Sequence, residues 1–386
     1  MSHRPRHRNF DLIVLGAGPA GAAAAVTSAG AGLSVALVDP RHFPRDKLCG
    51  GGLTGRSMRL YREIFGQAVP PVPLERRDAI AFHAFGEDLG TDRDAPPVHL
   101  GMRCSFDHAL VEHALCAGAV DFTGRTCTLD VDTGTVTIEA GQLRAPLIIA
   151  ADGVNSPTAR HLFGTPFDRR TIGFALEVEL PDRAPERALR IDFGAAEWGY
   201  GWQFPKPAGL TIGVGGVLSR NADMKGALRR YLDTLGIHES LPVKGQFLPF
   251  GAFRAVPGRG RVLLAGDAAG LVDPLTGEGI AHAMLSGAEA ARACTDALAA
   301  NDPDSALPLY RKRIAPIHTA LRHAARLRPI LFSESLRPAF IRSFRDSRSL
   351  RREYLAMLDG QTDYGPIMRR MALRLPGFVM RAIRGV

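Results

Sequence analysis

The sequence predicts an α/β fold: a doubly wound parallel-sheet domain, split by an inserted antiparallel sheet (α+β) domain and followed by a helical C-terminal region. Three observations predict it. The run from Leu12 to Val38 carries no charge but is broken by glycines at turn spacing. Two later apolar runs end in Asp152-Gly153 and Gly266-Asp267. Between them lies an aromatic, strand-like stretch from Arg170 to Val217. Short uncharged runs bounded by turns are the mark of parallel strands buried on both faces, whereas alternation marks a sheet with one open face.

Composition sets the limits. At 386 residues, 46% hydrophobic and 23% charged, the chain is long enough for two or three packed units and reads as globular. The net charge of +9 is unevenly placed: residues 311–386 hold 17 Lys+Arg against 5 Asp+Glu, leaving 31 against 34 in residues 1–310. The basic surplus therefore belongs to a C-terminal face suited to a membrane phosphate surface or an acidic protein, and does not point to nucleic acid. Five cysteines at 49, 104, 116, 127 and 294 form no zinc spacing and no even disulfide set, which predicts a reducing, cytoplasmic setting and no metal. The first eight residues are a short basic arm without the apolar run of a signal peptide.

Each element follows in order. Leu12–Leu15 predicts a strand, Gly21–Ala29 an Ala-rich helix and Ser34–Val38 a second strand, so the uncharged run is a βαβ unit and not a membrane span. Arg56–Phe65 predicts a helix and Pro70, Pro71 and Pro73 a crossover. Ser105 is placed as the N-cap of an amphipathic helix with apolar residues at 106, 110 and 114. Strand alternation follows from Thr126 to Glu139, then apolar runs at Leu143–Ala151 and Arg261–Ala265, an Ala-rich helix over Gly277–Ala299, and Arg-rich helices after Pro303. The expected division is a split cofactor domain (1–72, 100–165, 255–302), a sheet domain (73–99, 166–254) and the basic helical region (303–386).

Gly16-Ala-Gly18-Pro-Ala20-Gly21 follows a strand and opens a helix, with Asp39 eighteen residues after Gly21. Glycines permit the tight turn, close approach of a pyrophosphate to free N–H groups and tight helix packing, while the acid accepts from ribose hydroxyls. The pattern predicts a dinucleotide site, the alternative being a glycine-rich turn of no functional meaning. Ala151-Asp152-Gly153 to Arg160, and Gly266-Asp267 through Pro274 to Gly277-Glu-Gly279-Ile280, resemble the second and third fingerprints of the flavoprotein superfamily of p-hydroxybenzoate hydroxylase and the geranylgeranyl reductases. The three occur in the family's order across about 270 residues, and the resemblance covers roughly the first 300.

The resemblance implies FAD, with Asp267 on the ribityl chain and the Gly277–Ile280 turn facing the pyrimidine ring. Arg103 is similar to the arginine that touches the flavin, or is a solvated arginine. Asp152 is similar to a pyrophosphate-side group, or caps a helix near Thr158. Phe43-Pro-Arg45-Asp-Lys47-Leu-Cys49-Gly50-Gly51-Gly52-Leu and Gly199-Tyr200-Gly-Trp202-Gln-Phe204-Pro-Lys206, followed by Gly213-Val-Gly215-Gly, resemble the geranylgeranyl reductase subfamily, in which such glycines let backbone approach the flavin ring. Tyr200, Trp202 and Phe204 share a strand face and would wall an apolar substrate or form sheet core; Cys49 is a substrate-side proton donor or a small filler. One tryptophan in that stretch, without a halogenase lysine context, speaks against halogenation.

The implied activity is hydride transfer from reduced flavin to a C=C bond of an isoprenoid or similar apolar molecule. Two alternatives stay open: a flavin monooxygenase hydroxylating an aromatic group of a small molecule or partner protein, and a flavin-retaining binding partner docked through the basic tail. The electron donor stays open among NADPH, NADH, ferredoxin and another reductase. The tail's Leu331, Phe332, Phe340, Ile341, Phe344 and Leu350, interleaved with Arg322, Arg326, Arg337, Arg345, Arg348 and Arg352, fit either peripheral membrane contact or packing on the flavin domain.

Overall fold

A computed structural model describes residues 7–181, 188–207 and 209–369. The first six residues of the basic arm and residues 370–386 of the Arg-rich region lie outside the described residues. The first sheet runs Gly258–Arg259, Val262–Leu264, Leu147–Ala150, Leu12–Leu15, Val35–Asp39, Val120–Thr123, parallel except for its first strand. Leu12 to Val14, Val35 to Leu37 and Leu147 to Ala150 are almost fully buried, which is why these strands carry no polar alternation.

Register does the decisive work. Leu15 pairs with Val38 and with Ala150, which in turn pairs with Leu264. The carboxyl ends of four strands therefore emerge at one edge, delivering Gly16, Asp39, Asp152 and Asp267 to the same place from positions some 250 residues apart in sequence. The helix Pro19–Gly30 leaves this edge with Gly18 at its N-cap and no side-chain cap. The helix Ile280–Ala299, capped by Gly279 and likewise without a side-chain cap, packs beside it. A Cβ on Gly287 would lie 1.9 Å from the Ala20 carbonyl oxygen, so only glycine permits that approach.

The second large sheet runs Lys244–Leu248, Gly173–Pro181, Gly209–Val217, Tyr200–Lys206, Leu189–Phe193, Ile80–Ala84, Glu87–Asp92. It is antiparallel apart from the pairing of Leu189–Phe193 with Ile80–Ala84. The helix Met224–Thr234 covers one face through Leu228 and Tyr231 against Val178, Ile212 and Val214. The C-terminal helices Ala315–Phe332, Arg337–Asp346 and Arg348–Asp359 cover another part, with Phe340, Phe344 and Tyr354 ringed around Phe82 and Phe193 at 5.2–6.0 Å.

Several expectations are corrected. Ser105 is not an N-cap: the helix spans Arg103–Cys116 with Met102 before it, and the Ser105 hydroxyl donates back to the Met102 carbonyl. Gly277 and Gly279 lie in the turn ahead of a helix that starts at Ile280. Of the two readings of the tail, packing describes Phe332, Phe340, Ile341 and Phe344, but they pack on the antiparallel sheet and not on the flavin domain. Two of its arginines are likewise engaged, Arg345 with Glu87 and Arg337 over the Phe85 ring. No helix among the described residues is long and apolar enough to cross a membrane.

Candidate active site

One cavity of about 830 Å³ runs from the sheet edge to the antiparallel sheet. At its polar end stand Gly16, Gly18, Ala20, Asp39, Asp152 and Asp267. The Asp39 carboxylate is aimed by the N–H groups of Ala17 and Arg41, each donating at 2.8 Å. Gly16 sits at φ +93, and a Cβ there would meet the Ala151 carbonyl at 2.2 Å, so the chain crosses under the 151–153 turn only as glycine. Asp152 accepts from the Thr158 N–H at 3.1 Å through one oxygen. Its other oxygen is buried without a partner.

Mid-cavity holds a charged constellation. Asp107, wholly buried, receives the Arg103 Nε and Nη2 at 2.6 and 2.7 Å and Arg45 Nη2 at 3.1 Å. Burial alone lowers the Arg103 pKa, but the charge and hydrogen bonds of Asp107 more than offset it and hold Arg103 above the ordinary arginine value. Burial lowers Lys47, with the Asp267 charge opposing it, and raises Asp267, with Lys47 and Arg103 opposing that. Glu278, in the turn before Ile280, lines the cavity and accepts from the Thr54 hydroxyl. Burial pushes it up to about 7, with Arg56 at 3.3 Å pulling the other way.

At the apolar end Tyr200, Trp202 and Phe204 form a wall continued by Val98, Leu189, Ile191, Tyr354 and Leu358. Tyr200 donates to the Thr276 carbonyl at 2.7 Å, tying the wall to the Gly277 turn. Glycine lets backbone lie against a ring of the wall itself: a Cβ on Gly213, the cross-strand partner of Trp202, would lie 2.3 Å from the indole. Gly50 approaches Phe204 in the same way, at 2.7 Å. Cys49 stands where this wall meets the charged centre, within hydrogen-bond reach of Arg103.

Three expected residues do not line the cavity. Gly21 lies behind it, where a Cβ would be 1.7 Å from the Gly16 carbonyl, so its place is in helix–strand packing. The Gly266 N–H donates to Ser286 Oγ, and Pro274 is buried in the following turn. Sequence reasoning missed Arg45, Thr54, Glu278, Tyr354 and Leu358 in the lining, together with the buried Glu177 and Lys206 behind Cys49. Arg45, Glu278 and Lys206 lie inside the motifs quoted above; Thr54, Tyr354, Leu358 and Glu177 have no local signal. Among the described residues no cluster of His, Cys, Asp and Glu could hold a metal ion.

The residues fit an FAD. Two uncapped helix N-termini, at Gly18–Ala20 and Gly279–Ile280, face one cavity, where they offer donors and positive dipole ends to anionic groups. The unpaired Asp152 oxygen is an acceptor awaiting a donor.

Residues 11–86 match the family described as FAD dependent oxidoreductase. A menaquinone reductase of Mycolicibacterium smegmatis is 33% identical over 74% of this chain and 76% of its own length. A geranylgeranyl diphosphate reductase of Rhodobacter capsulatus is 30% identical over 76% and 77%. The structure of a geranylgeranyl bacteriochlorophyll reductase-like protein from Thermoplasma acidophilum superposes with a TM-score of 0.78 at 20% identity, covering 99% of this chain and all of that one. The likeness in fold thus extends past residue 300 into the C-terminal helices. An FAD-dependent enzyme site built from three separated fingerprints, in a chain this similar to those reductases, has one reading: the protein belongs to the geranylgeranyl reductase-like family of FAD-dependent oxidoreductases.

Proposed function

We propose that the protein reduces a carbon–carbon double bond of an isoprenoid or similarly apolar substrate, using FAD held along the polar part of the cavity. One observation carries the reading: a single cavity joins a phosphate- and ribose-suited edge to a wall of Tyr200, Trp202, Phe204, Leu189, Ile191 and Leu358. Flavin, when bound, supplies hydride chemistry. The chain's own residues bind and orient. Asp39 takes the ribose hydroxyls, the N-termini at Gly18–Ala20 and Gly279–Ile280 take the pyrophosphate and the pyrimidine edge, and Asp267 takes the ribityl chain. Asp107 holds Arg103 rigid beside Cys49, which faces the substrate and gives the proton that completes saturation. The aromatic wall excludes water from the alkene.

The names of the Mycolicibacterium and Rhodobacter relatives support an isoprenoid-bearing substrate. The donor is proposed as NADPH, NADH or a redox protein, and the arginines of residues 303–369 as the face that meets a partner or a membrane surface. The three-part division set out from the sequence is retained as the proposed domain organisation. The test is anaerobic: reduce the purified flavoprotein, add isoprenoid acceptors of graded length, and follow recovery of the oxidised-flavin band with product analysis. Recovery with a saturated product is expected. Recovery only after oxygen is admitted, with a hydroxylated product, would replace this reading by a monooxygenase.

A further inference from the structure

Cys49 is gripped from behind by two charged side chains of the antiparallel sheet. Glu177 Oε1 accepts the Cys49 N–H at 3.1 Å, and Lys206 Nζ donates to the Cys49 carbonyl at 3.2 Å. Glu177 is 1% exposed and Lys206 3%. Charged side chains are almost never so deeply buried without a partner to answer them, and here each makes a hydrogen bond to the backbone of one residue of the opposite layer, while the second Glu177 oxygen, Oε2, is buried without a hydrogen-bond partner. Gly51, at φ +70, turns its N–H onto the Cys49 sulfur at 3.4 Å, and a Cβ there would strike the Gly101 carbonyl at 2.0 Å. The segment is therefore fixed on both sides of the thiol.

We propose that Glu177 and Lys206 are positioning residues that clamp the Cys49 backbone from the sheet side and so hold its thiol in the cavity wall against Arg103 and the aromatic strand. The role rests on the reading above that Cys49 faces the reacting substrate. Lys206 ends the strand that carries Tyr200, Trp202 and Phe204, so the same strand sets both the substrate wall and the thiol's place. Burial pushes Glu177 up to about 7, with the Lys206 charge opposing it, and burial pulls Lys206 down, with the Glu177 charge opposing that.

The test reads the thiol directly. Holoenzyme is pulse-labelled with iodoacetamide and the Cys49 peptide is quantified against that of Cys116, which is exposed. Glu177→Leu and Lys206→Met each remove one arm of the clamp. Loss of a hydrogen bond to a charged group should raise the Cys49-to-Cys116 labelling ratio by about tenfold. Glu177→Gln, whose amide oxygen still accepts, should stay within about twofold of the parent. Turnover should follow with a fall in kcat and little change in KM.

A purely structural role would lower the melting temperature without changing the ratio or the ability of Gln to rescue it. An unchanged ratio in both Glu177→Leu and Lys206→Met overturns the clamp. Should either single change prevent folding by leaving a lone buried charge, the double variant Glu177→Leu/Lys206→Met leaves none and gives the same readout. An enzyme that reduces no isoprenoid would sink the substrate reading while the labelling arm still decides the clamp.

Discussion

Glu278 shows how one side chain ties chemistry to stability. It sits between Gly277 and Gly279, lines the cavity and is pushed up to about 7 by burial against an ordinary 4.5. A folded value above the unfolded one means that the native state keeps the proton longer. Its contribution is complete below pH 4.5 and is lost as pH rises to about 7. A shift of that size corresponds to ~3 kcal/mol at neutrality. Glu278→Gln should therefore gain stability over the parent progressively between these pH values and change little below them. Denaturant titrations at several pH values measure the difference, and a gap that does not grow with pH would show that Glu278 is already ionised in the folded protein.

At the scale of elements, the seam between the helices Pro19–Gly30 and Ile280–Ala299 decides where both N-termini point. Gly287 lies at the crossing, where its missing side chain lets the backbone rest on Ala20. Ala20 is also a residue of the first glycine motif and lines the cavity, so a spacing error here is felt at the cavity's polar end without any contact having been removed. Gly287→Ala would drive the helices apart, at about 1–3 kcal/mol of overpacking. The expected outcome is a protein with a lowered melting temperature and a reduced flavin-to-protein absorbance ratio after purification. A full flavin complement at unchanged stability would mean that the seam accommodates the methyl by a shift elsewhere.

Across the whole molecule, the C-terminal helices complete a cavity that the first 300 residues only begin. Tyr354 and Leu358 line its apolar end, and Tyr354 is also locked edge-on against Phe82, Phe193 and Phe344. Arg59 holds the far end of the helix Arg348–Asp359 by pairing with Asp359 at 3.2 Å, and Arg56 reaches the Met357 carbonyl at 3.3 Å. A chain ending at Asp346 should retain the flavin edge but open the apolar end to water and oxygen. Stopped-flow reoxidation of its reduced flavin should be several-fold faster, and isoprenoid-dependent turnover should be lost. Equal reoxidation rates would place the water barrier in Trp202 and Phe204 alone.

Local chemistry carries far in this chain. The glycine turns, the acid ending the second strand and the uncharged strands answer to backbone sterics and burial that operate within a dozen residues. Gly16, Gly18, Asp39, Asp152, Asp267 and the Tyr200–Phe204 wall are therefore legible in the amino-acid sequence. Ser105 misleads because a cap and a first-turn hydroxyl share a composition and differ only in where the backbone begins to turn. Gly21, Gly266 and Pro274 belong to real motifs but support the fold behind the cavity, a distinction that spacing cannot make. Glu177, Lys206 and Asp107 are charged residues whose meaning arises only when distant segments pack together and bury them. The Arg-rich tail stands out by its charge, yet its apolar residues roof the sheet and its Tyr354 joins the site. Sequence by itself determined the glycine turns and acidic strand ends that line the polar end of the cavity, because those depend on short-range turns and helix ends. Only the tertiary structure decided what closes the substrate end, because burial and cross-layer hydrogen bonds have no signature in neighbouring residues.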